Sequence, residues 1–200
     1  MGLPVRTPPL STLLTERLAL EPWEAGRRED FARATAIPEV VRYIGSGETW
    51  TRERAGEVFD RNLRHWDEHG FGWRSALDRE TGAWLGFFGL NHVPEDAVDC
   101  PPDEVEIGWW LLPESWGRGL ATEGAVAVRD EAFERVGLDR IVGRYDPRNH
   151  ASRRIMEKLG MRHERDSVTK YGGAVRIYAL EREAWAARPT QLATDPAPSR

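Results

Sequence analysis

The chain has 200 residues, 40% of them apolar and 30% charged, with nine tryptophans and a net charge of −5. That length supports one buried core and is short for two, and such aromatic content excludes a disordered chain. The acidic balance, with arginines scattered among acidic residues, excludes a nucleic-acid binder, whose affinity rests on clustered Lys and Arg.

Residues 1–12 and 188–200 are rich in Pro, Thr, Ser and Ala without an apolar period. Both are read as tails flanking one domain over 13–187, because neither can bury enough surface to offset its ordering entropy. Leu18 and Leu20 alternate with polar neighbours, which predicts a half-buried strand over 15–22. Phe31, Ala32, Ala34 and Ala36 mark a helix over 24–36, and Pro38 punctuates it before a short helical turn through Val40, Val41 and Ile44. Thr51 is placed to cap a long helix to His69, with Val58, Leu63 and Trp66 at helical spacing and Gly70 as the left-handed stop.

Strands follow over 71–77 and 84–92, joined by the polar loop 78–82, and over 105–112, which Pro113 ends. The strongest helical pattern covers 119–135, where Ala125, Val128, Ala132, Phe133 and Val136 share one side. A short strand over 140–145 feeds a helix over 151–159, and strands over 161–170 and 174–181 form a last hairpin around Tyr171, Gly172 and Gly173. Clustered strands interrupted by helices fit an α+β sheet rather than a doubly wound one. No apolar run approaches about 18 residues and no signal-peptide pattern opens the chain, so no membrane association and a cytoplasmic location are expected. Neither composition nor motifs separate a monomer from a homodimer.

The chemistry concentrates in two places. After the strand bearing Glu106, residues Trp116, Gly117, Arg118, Gly119, Leu120, Ala121 and Thr122 open a helix. Glycines let a backbone approach a ligand closely, and the free N–H groups and dipole of a first helical turn favour an anion, to which Arg118 adds charge at the rim. The loop lacks the Gly-Lys-Ser/Thr of a Walker motif and the glycine spacing of a dinucleotide fingerprint; by itself it fits a plain helix start equally well. The second place is Asn149 and Ser152, at the cap and third position of the helix that stops at Gly160. Capping alone explains these residue types.

Five pieces then stand in one order: Thr15-Glu16-Arg17-Leu18, Leu85-Gly86-Phe87-Phe88-Gly89-Leu90, Glu106-Ile107-Gly108-Trp109-Trp110, the Trp116 loop, and 149–161. In this order the chain resembles the GCN5-related N-acetyltransferase (GNAT) superfamily, and within it the RimJ/RimL-like branch, over 14–187. The resemblance implies a single domain with a mixed, mostly antiparallel sheet flanked by helices and splayed between its fourth and fifth strands. It implies acetyl-CoA as co-substrate and an amine acceptor, a peptide N-terminus or a small molecule. The backbone near Trp110, Leu111 and Leu112 would line the acetyl and pantetheine segment, and the amides of 117–122 would hold the pyrophosphate. Asn149 and Ser152 would meet the pantetheine arm. Trp116 stands where the family loop begins with Gln or Arg, so a polar role there is expected to be lost.

An amine attacks a thioester only when neutral, so a base, an oxyanion donor and an exit for the thiolate are needed. Glu106 is the candidate base, set against a solvated strand-face carboxylate; a backbone N–H near Trp110 or Leu111 is the oxyanion donor that the resemblance suggests. Relatives that protonate the thiolate with a Tyr have it where this chain has Met156, which has no proton to give. Ser152 is the substitute. The rival reading is a non-catalytic acyl-CoA-binding module, and a nucleotide-binding protein is a third.

No metal is expected. Cys100 is the sole cysteine, so a disulfide and a thiolate centre lack partners, and with no His beside it in sequence it is no evident nucleophile. His65 and His69 stand four apart on a helix, but Trp66 occupies the position where a zincin has Glu, and both are read as exposed helix histidines. Trp50 and Trp73 are candidate walls of an acceptor pocket, built near 45–50 and the Tyr171 hairpin.

Overall fold

Alternation of apolar residues through the middle of the chain builds one eight-stranded sheet among the described residues, ordered β1-β2-β3-β4-β5-β6-β8-β7. The structure, a computed structural model, describes residues 12–93, 97–98, 100–101, 103–170 and 172–187. The strands are β1 (Leu13–Leu14), β2 (Leu18–Pro22), β3 (Trp73–Asp78), β4 (Trp84–His92), β5 (Val105–Leu111), β6 (Arg140–Tyr145), β7 (Arg162–Val168) and β8 (Ala174–Glu181). The helices are α1 (Arg28–Thr35), α2 (Pro38–Val41), α3 (Arg52–His69), α4 (Leu120–Glu131), α5 (His150–Leu159) and α6 (Arg182–Ala186). Every neighbouring pair is antiparallel except β5 and β6, which run parallel. This is the expected α+β architecture. The expected break between the fourth and fifth strands falls between β5 and β6, because the two-residue β1, ahead of the first strand expected over 15–22, was not foreseen and adds one to the count.

Three further elements differ from the expectation. The strand expected over 15–22 begins only at Leu18, because Thr15 Oγ1 accepts from the Leu18 N–H at 2.9 Å in a local turn that competes with extended pairing. The helix expected over 119–135 ends its α-helical part at Glu131 and finishes in a π turn, Ala132–Val136, closed by Gly137. The short α6 was not foreseen; five residues carry too little periodicity to read. The capping expectations hold, since Thr51 accepts from the Arg54 N–H, and Gly70 and Gly160 terminate α3 and α5.

Each face of the sheet buries its own core. Phe88, Ile107 and Leu111 face α4 and join Leu120, Ala125, Val128 and Phe133. Phe87, one residue from Phe88, faces the other way and joins Trp23, Phe31, Phe59 and Trp66 beneath α1 and α3. Each such fully buried aromatic contributes on the order of 1.5–3 kcal/mol. Arg74, fully buried on β3, donates through Nε and Nη2, one edge of its guanidinium, to both carboxylate oxygens of Glu131 on α4, and through Nη1 to the Leu20 carbonyl at 3.2 Å. Arg135 joins the same carboxylate one turn later.

One expectation about α3 fails. His65 is not an exposed histidine: it is 9% exposed, with Nδ1 2.9 Å from the Phe71 carbonyl, because the chain folds back over the end of α3 to start β3. His69 is exposed as expected. None of the described helices is long and apolar enough to cross a membrane.

Candidate active site

Strands β5 and β6 pair at one position, Glu106 with Val142. Each is otherwise held by its outer neighbour, β5 by β4 along its whole length and β6 by β8. Beyond the Glu106 rung the two strands part, leaving a wedge between 107–111 and 143–145. The β5 ladder decides which backbone groups line it. Val93 donates to the Glu104 carbonyl at one end and Leu112 to the Leu85 carbonyl at the other, both at 2.9 Å. By alternation, the N–H and C=O groups of 104, 106, 108, 110 and 112 point to β4, and those of Trp109 and Leu111 point into the wedge. Of the three backbones expected to line the cofactor, Trp110, Leu111 and Leu112, Leu111 alone turns its N–H and C=O toward the gap, joined by Trp109.

The glycine loop sits at the mouth of the wedge. Gly117 and Gly119 adopt φ of +74° and +81°, a region that side chains other than glycine enter at a cost of about 1–2 kcal/mol. These two left-handed turns direct successive amides outward. Among the described residues, nothing accepts from the N–H groups of Gly117, Arg118, Gly119, Leu120 or Ala121. Thr122, expected as a sixth donor, already donates to the Gly119 carbonyl at 3.1 Å, as does Glu123. Five unengaged donors at a helix start fit a pyrophosphate. Trp116 retains a polar role, contrary to expectation: its indole N–H donates to the Leu111 carbonyl at 2.8 Å and ties the loop to the end of β5.

The loop is also braced from behind, by residues the sequence reading quoted without assigning this role. Glu123 accepts from Thr15 Oγ1 at 2.5 Å and from the Arg17 backbone and Nε at 2.7 Å, while Arg17 Nη1 donates to the Arg118 carbonyl at 2.8 Å. Burial pushes the Glu123 carboxyl up, but the hydrogen bonds from Thr15 and Arg17 outweigh it and hold it below the ordinary carboxylate value. Beside the loop, Arg17, Arg79 and Arg118 line a cavity of about 350 Å³ with Glu16, Asp78 and Glu80. Arg118 lies 3.8 Å from Asp78 there.

Glu106 lies at the apex of the wedge, opposite Asn91 on β4 and Val142 on β6. Its side chain is 27% exposed, and the Arg144 guanidinium stands 3.9 Å away on the same face. Burial pushes the carboxyl above the ordinary range, while the charge and a backbone hydrogen bond of Arg144 pull it down and Glu104 adds to the push. A carboxylate of raised basicity beside a gap in the sheet can take a proton. On the same face, Trp50 meets Trp110 edge to face at 5.4 Å and Trp73 stacks on Phe87 at 4.3 Å, so both belong to one aromatic wall.

On the β6 side, Asn149 accepts from the Ser152 N–H at 3.1 Å and caps α5, so its carboxamide oxygen is engaged. Met156 presses on the backbone at Gly143, where an added Cβ would come within 2.8 Å of the methionine methyl. Ser152 stands one turn earlier on that face of α5. Tyr145 and Tyr178, edge to face at 5.5 Å in the same core cluster, are phenols that the sequence reading passed over. Burial raises the Tyr178 hydroxyl further. It also pushes the Cys100 thiol up, which disfavours a thiolate there. Tyr171 lies outside the described residues.

The comparisons with known proteins concern the family and the fold. The acetyltransferase (GNAT) domain family matches residues 17–162. An FsC-acetyl coenzyme A-N(2)-transacetylase of Aspergillus fumigatus is 32% identical over 185 residues, 87% of this chain and 77% of that protein. An acetyltransferase from Agrobacterium tumefaciens superposes with a TM-score of 0.73 at 30% identity, covering 86% of this chain and 95% of its own. RimL, a ribosomal L7/L12 alpha-N-protein acetyltransferase solved with coenzyme A, shares the fold at 14% identity, with a TM-score of 0.71 over 87% of this chain and 99% of its own. The chain belongs to the GNAT acetyltransferases, acetyl-CoA-dependent acyltransferases whose single mixed-sheet domain it displays.

Proposed function

We propose that the chain transfers the acetyl group of acetyl-CoA to a primary amine by direct attack in a ternary complex, in the manner of the RimJ/RimL-like branch. The observation that carries this reading is the coincidence of five unengaged loop amides with a basic carboxylate at the apex of the same wedge. Acetyl-CoA supplies the activated acyl group. The amides of 117–121 hold its pyrophosphate, and the backbone of Trp109 and Leu111 lines the arm. Leu111 or Trp109 N–H serves as oxyanion donor, since their amides face the gap. Glu106 takes the ammonium proton, directly or through one water, and Ser152 returns a proton to the leaving thiolate. The acceptor is a protein N-terminal α-amine or a small-molecule amine. The N(2) in the name of the Aspergillus relative favours a nitrogen acceptor. A domain over 13–187 acting in the cytoplasm belongs to the same proposal.

The test is release of free thiol from acetyl-CoA with a panel of amines and peptides. Amine-dependent release supports transfer. Saturable coenzyme A binding without release across the panel supports the rival reading, an acyl-CoA-binding module, for which Met156 in place of a proton donor is the specific motive.

A further inference from the structure

The tertiary fold brings a third histidine to the pair on α3. His92, the last residue of β4, lies with its ring centroid 5.2 Å from that of His65 and 4.4 Å from that of His69, and the α3 pair is 4.5 Å apart. One ring nitrogen from each histidine falls within 4.8 Å of the other two. We propose that His65, His69 and His92 form a binding site for one divalent transition-metal cation, zinc(II) being the ion best suited to the set, with a fourth position left for water.

Geometry and hydrogen bonding argue for it together. His65 Nδ1 lies 2.9 Å from the Phe71 carbonyl, which can only accept, so Nδ1 carries the proton and Nε2 presents a lone pair. A metal-bound histidine is oriented in this way, its second nitrogen donating to a backbone carbonyl. In the metal-free protein His92 Nδ1–H donates to that lone pair at 3.0 Å; on ligation the His92 proton shifts to its Nε2, and two nitrogens on a tetrahedral zinc with bonds of about 2.0–2.1 Å are about 3.3 Å apart. The pair therefore needs almost no movement. The His92 backbone N–H also reaches His65 Nε2, at 3.2 Å, and an incoming cation displaces that contact. Positions four apart on a helix let His69 reach the ion from the face that His65 occupies, and His69 is exposed and can adjust.

Three imidazoles without thiolates suit zinc, copper or nickel and disfavour magnesium and calcium, which take oxygen ligands. The site lies away from the pyrophosphate loop, at the opposite end of β4 from Leu85 and Gly86. It would clamp the last turn of α3 to the end of β4, where neighbouring Asn91 pairs with Glu106.

The test uses the full chain without a polyhistidine tag, stripped with chelator and titrated with cobalt(II) and zinc(II). One equivalent of cobalt(II) with the visible bands of a four-coordinate ion, and a rise in Tm on adding zinc, are expected. His69→Ala removes an exposed ligand and should leave the metal-free Tm unchanged while weakening affinity by more than about tenfold, given that even outer-sphere partners are worth 10–100-fold. His92→Gln should weaken it likewise, and Cys100→Ser should leave binding intact. Absence of saturable binding, binding unchanged in His69→Ala, or binding lost in Cys100→Ser would overturn the assignment.

Discussion

Glu106 on β5 and Arg144 on β6 face each other across the rung that joins the two strands, Arg144 Nη1 standing 3.9 Å from Glu106 Oε2. At that distance the guanidinium biases the carboxylate by its charge without clamping it. Burial dominates and the carboxyl is raised. Two consequences follow for pH. A base must be ionised to act, so kcat/KM rises with pH through a midpoint above 4.5, the ordinary value. Because the folded pKa exceeds the unfolded one, the protonated form contributes stability at low pH that is lost as pH rises through the folded pKa. Glu106→Gln should lower kcat by about 10²–10⁴, as for loss of a general base. It should also abolish the acidic limb of the pH–rate profile while acetyl-CoA binding, read by calorimetry, stays intact.

Gly119→Ala places a side chain at φ +81°. Space is not the obstacle, since Arg17 Nη2 lies at an ordinary 3.5 Å from an added Cβ. The strain of about 1–2 kcal/mol falls on the amides that face the pyrophosphate. Steady-state kinetics should show KM for acetyl-CoA rising about tenfold, the equivalent of ~1.4 kcal/mol, with KM for the amine unchanged. A change confined to the amine would contradict the placement.

Glu123 ties β2 to the loop from behind. Its carboxyl is held below the ordinary value, so its ionised form contributes stability above the unfolded pKa, and that contribution is lost as pH falls through the folded pKa. Glu123→Gln should weaken coenzyme A binding and flatten the acid side of the stability–pH curve. Arg17→Ala should mimic the first effect, because it frees the Arg118 carbonyl.

Arg74 and Glu131 test the core rather than the site. Removing one partner leaves a charge buried alone, so Glu131→Gln is expected to cost about 3–5 kcal/mol in urea unfolding. A double replacement, Arg74→Met with Glu131→Leu, should recover most of that loss, since well-packed apolar pairs often match a buried ion pair.

Ser152→Ala discriminates among proton donors. A fall in kcat with KM unchanged assigns the donor to Ser152. Unchanged turnover removes it and shifts attention to Tyr145, for which Tyr145→Phe is the matching measurement.

What sequence alone determined is local. Thr51, Asn149 and the stops at Gly70 and Gly160 are legible because a cap acts on amides two or three residues away. The glycine loop is legible for the same reason, as are strands whose side chains alternate. Relations between distant residues were decided only by tertiary structure. Whether Trp110 or Leu111 turns its amide into the wedge depends on the register of β5 against β4, which alternation within one strand leaves open. Arg17 and Glu123 are 106 residues apart, and Arg74 and Glu131 57, so their pairing follows from how β2 and β3 pack on α4. His65 reads as exposed from a helical wheel. It is buried because the α3–β3 turn folds over it, and His92, 27 residues on, arrives beside it only when β4 takes its place in the sheet.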